Sequence, residues 1–188
     1  MLARAFKDEF KDLFPDPEDR IIKEPFANEL LLRWDFAYCE SFITSPNLEG
    51  IAMWMHSSRI KKRPPWHVLT SGAIWQEIKI GRKAVKKMDA INKYMEKKHA
   101  ELAQFEHWYL SVLAVDPPYQ GRGHASRLIK CMLERTDAQG LPCYVETEGQ
   151  KNIAMYRHFG FEEITEFDLP GTTDRLTAMI RQPCLDKG

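Results

Sequence analysis

The sequence predicts an α/β fold, one domain of helices packed on a mixed sheet. Three observations carry this. The apolar run Trp108 to Val115 leads through a glycine-containing turn into a helical pattern. A second run, Cys143 to Thr147, leads into another helix. Two alternating runs, Phe161 to Phe167 and Arg175 to Arg181, close the chain across Pro170-Gly171-Thr172-Thr173. Strand–helix units followed by a terminal hairpin place helices on a sheet that is neither all parallel nor all antiparallel.

The 188 residues fit a single domain, long enough to bury roughly 70% of its unfolded surface. The 27 basic residues balance 27 acidic ones, which argues against a general nucleic-acid binder. No apolar run approaches the ~18 residues of a membrane span, and the first nine residues mix both charges without an apolar core, unlike a secretory signal. Cys39, Cys131, Cys143 and Cys184 are scattered, with no paired spacing. They predict free thiols, a reducing cytoplasmic setting and no metal site.

Taken in order, Leu2, Ala5, Phe6 and Phe10 predict an opening helix, broken at Leu13-Phe14-Pro15-Asp16-Pro17. Glu18 to Ala37 predicts a second, with Pro25 pointing to a start near that residue, where proline is tolerated. Phe6, Phe10, Phe14, Phe26 and Trp34 read mainly as core, with the wall of a binding cleft as the alternative. Cys39 to Ser45 and Gly50 to Ser57 predict strands joined at Ser45-Pro46-Asn47. Lys61-Lys62-Arg63-Pro64-Pro65 is a basic irregular segment, and Trp66 to Gly72 predicts a short helix. Lys79 to Leu102 predicts one long helix with Val85, Met88, Ile91 and Met95 as its apolar stripe. The lysines along it read as a solvated face, or as a contact for nucleic acid or an anionic membrane.

The organising stretch follows. Asp116-Pro117-Pro118 ends the strand from Trp108, because proline has no ladder donor. Gln120-Gly121-Arg122-Gly123-His124-Ala125-Ser126 then opens a helix whose apolar positions Ala125, Leu128, Ile129, Met132 and Leu133 recur through Ala138. The first N–H groups of a helix lack internal partners, and the helix dipole makes that end positive. Glycines let an anion approach the backbone closely. Arg122 adds charge and His124 a donor. The stretch is either a plain tight turn or a phosphate cradle, and its context favours the cradle. Gly121-x-Gly123-x-x-Ser126 approaches a dinucleotide fingerprint with Glu146 as the ribose acid. That fingerprint lacks its third glycine, and little chain remains for a doubly wound sheet.

Gln120-x-x-Gly123-x-Ala125 resembles the pyrophosphate motif of the GNAT acyltransferase superfamily, Arg/Gln-x-x-Gly-x-Gly/Ala. Val145-Glu146-Thr147, then Asn152 to Tyr156, then Phe159-Gly160-Phe161, are similar to the close of GNAT domains, over roughly residues 78 to 182. The run LAVDPPYQGRGHASRLI with LPCYVET looks most like the puromycin N-acetyltransferase-like branch. The resemblance implies a GNAT-like fold with a central, mostly antiparallel sheet. It also implies an acceptor-side half at about 1–105 and an acetyl-CoA-binding half at about 106–183. A GNAT domain usually begins with a strand, whereas Met1 falls already in the first helix. Either that strand is absent or the true start lies upstream of Met1; an absent edge strand would expose its neighbour as a pairing edge and favour a homodimer or aggregation.

The implied activity is acetyl transfer from acetyl-CoA to a primary amine of a small molecule, in a ternary complex. Backbone at Leu113, Ala114 and Val115 would hold the pantetheine arm and polarise the thioester. Gln120, Gly121, Arg122, Gly123, His124, Ala125 and Ser126 would hold the pyrophosphate. Tyr156 would protonate the leaving thiolate. Asn152, one helical turn earlier, would bond the pantetheine or cap the helix. Glu146 is the candidate base, with His107, His56 and Tyr109 as alternates. Other classes left open are a non-catalytic CoA sensor, a protein or peptide amine acetyltransferase, and a nucleic-acid binder using the basic helix.

Overall fold

The computed structural model describes residues 1–6, 10–60 and 73–184. In chain order the helices are α1 (Leu2–Ala5), α2 (Pro17–Tyr38), α3 (Ser57–Ile60), α4 (Ala73–Ile80), α5 (Arg82–Leu102), α6 (His124–Gln139) and α7 (Gln150–His158). The strands are β1 (Glu40–Ile43), β2 (Gly50–His56), β3 (Trp108–Val115), β4 (Cys143–Thr147), β5 (Glu162–Asp168) and β6 (Arg175–Arg181). They form one sheet in the order β1-β2-β3-β4-β6-β5. β3 and β4 run parallel, and every other neighbouring pair is antiparallel. With a single parallel pair, the sheet is not the doubly wound one that a dinucleotide fingerprint requires.

β2 is apolar on both sides and buried throughout from Gly50 to Met55, so it lies inside the sheet. Ile51 and Met53 face α1 and α2, while Ala52 and Trp54 face α6. β3 starts with the same alternation, and Trp108 and Leu110 join the α6 side. A bulge then shifts its register against β2, from Trp54↔Leu110 to Met53↔Val112, leaving Ser111 unpaired. The extra residue reverses the faces beyond it. Val112 and Ala114 turn to the α1–α2 side, and Leu113 turns to α6.

Two boundaries differ from the sequence expectation, and one alternative is not taken. The opening helix is only Leu2–Ala5, and Phe10 to Leu13 form turns. α2 runs from Pro17 to Tyr38, within a residue of the expected Glu18 to Ala37, and does not take the alternative start near Pro25. The Asp16 carboxylate accepts the N–H groups of Glu18 at 2.8 Å and Asp19 at 3.1 Å, a side-chain cap with proline in the first helical position. Pro25 therefore sits within the helix, on its exposed side. The predicted long helix is broken at Gly81, whose φ of 96° only glycine adopts readily, giving α4 and α5. Lys93 of α5 pairs locally with Asp89 at 2.7 Å and Lys98 with Glu101 at 3.2 Å, Lys87 donates to the Asp12 carbonyl at 2.7 Å, and Lys86, Lys87 and Lys93 border the large cavity between the helices and the sheet. The expectations for 61–72, including the helix from Trp66 to Gly72, lie outside the described residues, as does the side chain of Trp34. Phe10 and Phe14 are buried with Ala27, Ile80 and Met88.

The C-terminal strand is locked to α6 by Arg181. Its Nη1 and Nη2 donate to the two carboxylate oxygens of Asp137 at 2.6 and 2.7 Å, and its Nε donates to the Phe159 carbonyl at 3.1 Å. Arg181→Lys keeps the charge but loses the fork. It should cost about 1–2 kcal/mol, read as a lower midpoint in urea with unchanged slope. An unchanged midpoint would show that the fork contributes nothing.

Candidate active site

The seam between β3 and β4 is short. Pairing is confined to Trp108↔Cys143 and Tyr109↔Tyr144, and beyond these residues the strands diverge. The opening between them is part of a cavity of about 1550 Å³. Leu110 to Val115 line one side and Val145 to Glu148 the other, with α7 below.

At one end lies the glycine turn. Gly121 and Gly123 have φ of 74° and 78°, in the left-handed region. Gly123 is the N-cap of α6 and no side chain caps the helix. The first intrahelical bond near this end is Arg127 N–H to Gly123 O, so the N–H groups of His124, Ala125 and Ser126 precede it. Uncapped donors on alternating left- and right-handed backbone form an anion-binding concavity. The turn is anchored at Asp116, whose carboxylate accepts two bonds from Arg4 at 2.8 and 2.6 Å and is held below its ordinary pKa by that guanidinium. The Gln120 side-chain amide donates to the Val115 carbonyl at 3.1 Å, so it closes the strand end instead of extending outward.

Of the residues singled out in the sequence, Leu113, Ala114, Val115, Gln120, Gly121, Gly123, His124, Ala125, Ser126, Glu146, Asn152 and Tyr156 all line the cavity. Arg122 does not, and its guanidinium lies 5.5 Å from the centre of the Tyr119 ring. Asn152 does not cap α7. Gly149 holds that position, and the Asn152 amide donates to the Glu148 carbonyl at 3.0 Å.

Glu146 and Tyr156 approach the cavity from opposite faces of the sheet. Tyr156 packs in the α6-side core and is 5% exposed. Burial raises its pKa, so the phenol keeps its proton. Glu146 shares the α5 side with Tyr144, two residues earlier on the same strand. Its carboxylate accepts the hydroxyls of Tyr144 at 2.9 Å and Tyr109 at 3.2 Å. Burial pushes its pKa up to about 7, and the two phenols only partly oppose this. A carboxylate poised near neutrality beside a cavity is suited to accepting a proton.

The alternates separate clearly. His56 bonds Ser58 Oγ at 2.9 Å and does not line the cavity. His107 is 1% exposed, fixed between the Phe105 carbonyl and His99. Tyr109 is a hydrogen-bond donor to Glu146. The sequence reading missed Tyr144 and His99. For Tyr144 the signal was present, since i and i+2 of a strand share a face. For His99 there was none, because it comes from a helix across the sheet.

Residues 79–161 match the model of the acetyltransferase (GNAT) family. An uncharacterized N-acetyltransferase of Schizosaccharomyces pombe is 35% identical over 78 residues, which are 40% of this chain and 32% of that protein. The chain thus spans about a third of the length of this relative. Among solved structures, one titled histone acetyltransferase HPA2 and related acetyltransferase, from Corynebacterium glutamicum, superposes with a TM-score of 0.62 at 18% identity, over 100% of this chain and 90% of the other. A Drosophila melanogaster polyamine N-acetyltransferase, described as forming N-acetylagmatine, superposes with a TM-score of 0.50 at 14% identity, over 81% and 78%. At such identities the two structures show a shared fold. The matched segment, less than half of this chain, runs from the start of the basic helices through the glycine turn to Phe161, and it carries the similarity to the acetyltransferase (GNAT) family.

Proposed function

We propose that the protein transfers the acetyl group of acetyl-CoA to the primary amine of a small molecule, both bound at once. The observation that carries this is the slot between β3 and β4. It runs from the N-terminus of α6 to a place flanked by Glu146 on one face and Tyr156 on the other. The turn Gln120 to Ser126 takes the pyrophosphate, with Arg122 contributing charge from outside the cavity. Backbone of Leu113, Ala114 and Val115, unpaired toward β4, takes the pantetheine, and an N–H there supports the oxyanion. Asn152 borders the same arm. Residues of about 1–105 then form the acceptor side and about 106–183 the cofactor side of one domain.

The Glu146 carboxylate takes a proton from the acceptor ammonium. The nitrogen lone pair adds to the thioester carbonyl, the adduct's nitrogen gives its second proton to solvent, and the tetrahedral adduct collapses to the neutral amide with loss of the thiolate. Tyr156 O–H protonates that sulfur, and solvent returns the Glu146 proton to the phenolate. No residue forms a covalent intermediate and no metal takes part. A sensor of the same fold needs the anion cradle but neither the poised carboxylate nor the buried phenol. The likeness to the puromycin branch rests on sequence motifs, so puromycin is one acceptor to try among others.

Calorimetric titration tests the cofactor, with NAD as control, followed by thiol release over a panel of amines. Binding of acetyl-CoA, none of NAD, and thiol release with some amine are expected. Binding without turnover across the panel would favour the sensor, and absence of binding would defeat the assignment. Tyr156→Phe should lower kcat roughly 10²-fold while the Kd for acetyl-CoA stays within about twofold. Undiminished turnover would remove Tyr156 from the acid role.

A further inference from the structure

Behind Glu146 lies a second group that the reaction above does not use. The His107 ring is 1% exposed and its Nδ1 lies 2.7 Å from the Phe105 carbonyl. A carbonyl only accepts, so His107 Nδ1 carries a hydrogen. Its Nε2 lies 2.8 Å from His99 Nε2. Two nitrogens at that distance share one proton. Burial pushes both imidazoles below their ordinary pKa, His99 to about 3, so neither is charged. His107 Nε2 is then the bare nitrogen and His99 Nε2 the donor. One tautomer fixes the next, and His99 Nδ1 is left as an unprotonated acceptor.

His99 is 6% exposed and lines the cavity. Its ring is held between Tyr109 and Tyr144, with centroids at 4.6 and 4.7 Å. Among the described residues no donor reaches Nδ1. Nor is it sealed in the core without a partner, as Asn28 Nδ2 and Trp54 Nε1 are. The same two tyrosines give their hydroxyl hydrogens to Glu146. This end of the cavity therefore offers lone pairs, from a carboxylate and an imidazole, and has already committed its phenolic donors.

We infer that His99 Nδ1 is a docking point for an N–H of the acceptor substrate, and that the acceptor is a plain cationic amine in preference to an α-amino acid. An ammonium has only donors to offer and meets both acceptors favourably. A carboxylate next to the reacting nitrogen would bring its lone pairs against the same wall. His99 gives up no proton in the reaction. The inference rests on the proposed acetyl transfer, but the state of His99 can be read without turnover.

Matched pairs that differ by one carboxylate beside their single primary amine provide the test: phenethylamine and phenylalanine, tryptamine and tryptophan, tyramine and tyrosine. Within each pair that turns over, kcat/KM should favour the amine by about 10²-fold or more, from two or more lost or opposed hydrogen bonds. His99→Phe should raise KM for that amine at least about tenfold with the acetyl-CoA Kd unchanged. Because His99→Phe strands His107 Nε2, nitrogen-15 spectra of histidine-labelled wild-type protein supply an independent readout. They should show His99 Nδ1 bare, and moving toward the hydrogen-bonded position when the best amine of the panel is added with CoA. Should no amine turn over, putrescine with CoA replaces it. A protonated Nδ1, an unmoved signal, equal use of both members of a pair, or an unchanged KM in folded His99→Phe would overturn the inference. Acetyl-CoA binding without turnover, with a bare and responsive Nδ1, would count against the transfer reaction alone.

Discussion

Glu146→Gln should lower kcat/KM by about 10²–10⁴-fold, the range for removing a general base, while acetyl-CoA still binds. The amide can accept a tyrosine hydroxyl as the acid does, so the site keeps its shape, but it cannot take the amine proton. In the wild-type protein the base must be ionised. With its pKa pushed up to about 7, activity should climb as pH rises through that value and level off above it. Stability should run the other way. The folded carboxyl holds its proton better than the ordinary 4.5 of the unfolded chain, so the folded state is favoured below that pH and loses the advantage as pH rises from 4.5 to about 7. The glutamine variant escapes the loss and should gain roughly 1–3 kcal/mol relative to wild type at pH 8, with little gain at pH 4. Thiol-release rates and thermal melts at both pH values check this. A variant that stays active, or gains nothing at pH 8, would remove Glu146 from the base role or from its buried, ionised state.

Gly123→Asp should weaken acetyl-CoA binding about 10²–10³-fold without unfolding the protein. A Cβ at this glycine has no atom within 4 Å, so the side chain fits. The φ of 78° is strained for most residues, but aspartate is among the few that tolerate it, at roughly 1–2 kcal/mol. The larger effect is electrostatic. A carboxylate about 4 Å from a bound pyrophosphate costs on the order of 4 kcal/mol at an effective dielectric of 20. Gly123→Ala separates the causes, since it carries the strain without the charge and should lose no more than about tenfold. Calorimetry with acetyl-CoA measures both, and equal losses would show that backbone geometry, not charge, governs the site.

What could be read in the sequence was what neighbours in the chain decide. The bounds of β3 and of the helix after Gly123 follow from apolar spacing, prolines and glycines within about thirty residues. Where the reading slipped or left two starts open, a local device outweighed the average pattern. The Asp16 cap and Pro17 set the start of α2, so Pro25 is carried inside it. Gly81 breaks a helix whose apolar stripe continues on both sides. The bulge at Ser111 reverses the faces of β3 with no residue type to announce it. Glu146 was found by position, but its environment was not. The raised pKa comes from burial, and its partners Tyr109 and Tyr144 stand on two strands that only the fold makes adjacent. His99 comes from a helix packed across the sheet, beyond the reach of any spacing rule.

The short seam has a consequence for folding as well as for chemistry. The strand order divides at it into two antiparallel ribbons, β1-β2-β3 and β4-β6-β5, stitched at Trp108–Cys143 and Tyr109–Tyr144. Each ribbon has its own ladders, so each is a natural unit of partial opening, and amide exchange should sort into two groups along that line. A molecule lying in the gap touches both ribbons. Its binding energy then adds to the cooperativity with which the halves melt, and the sheet's own integrity becomes a function of cofactor concentration.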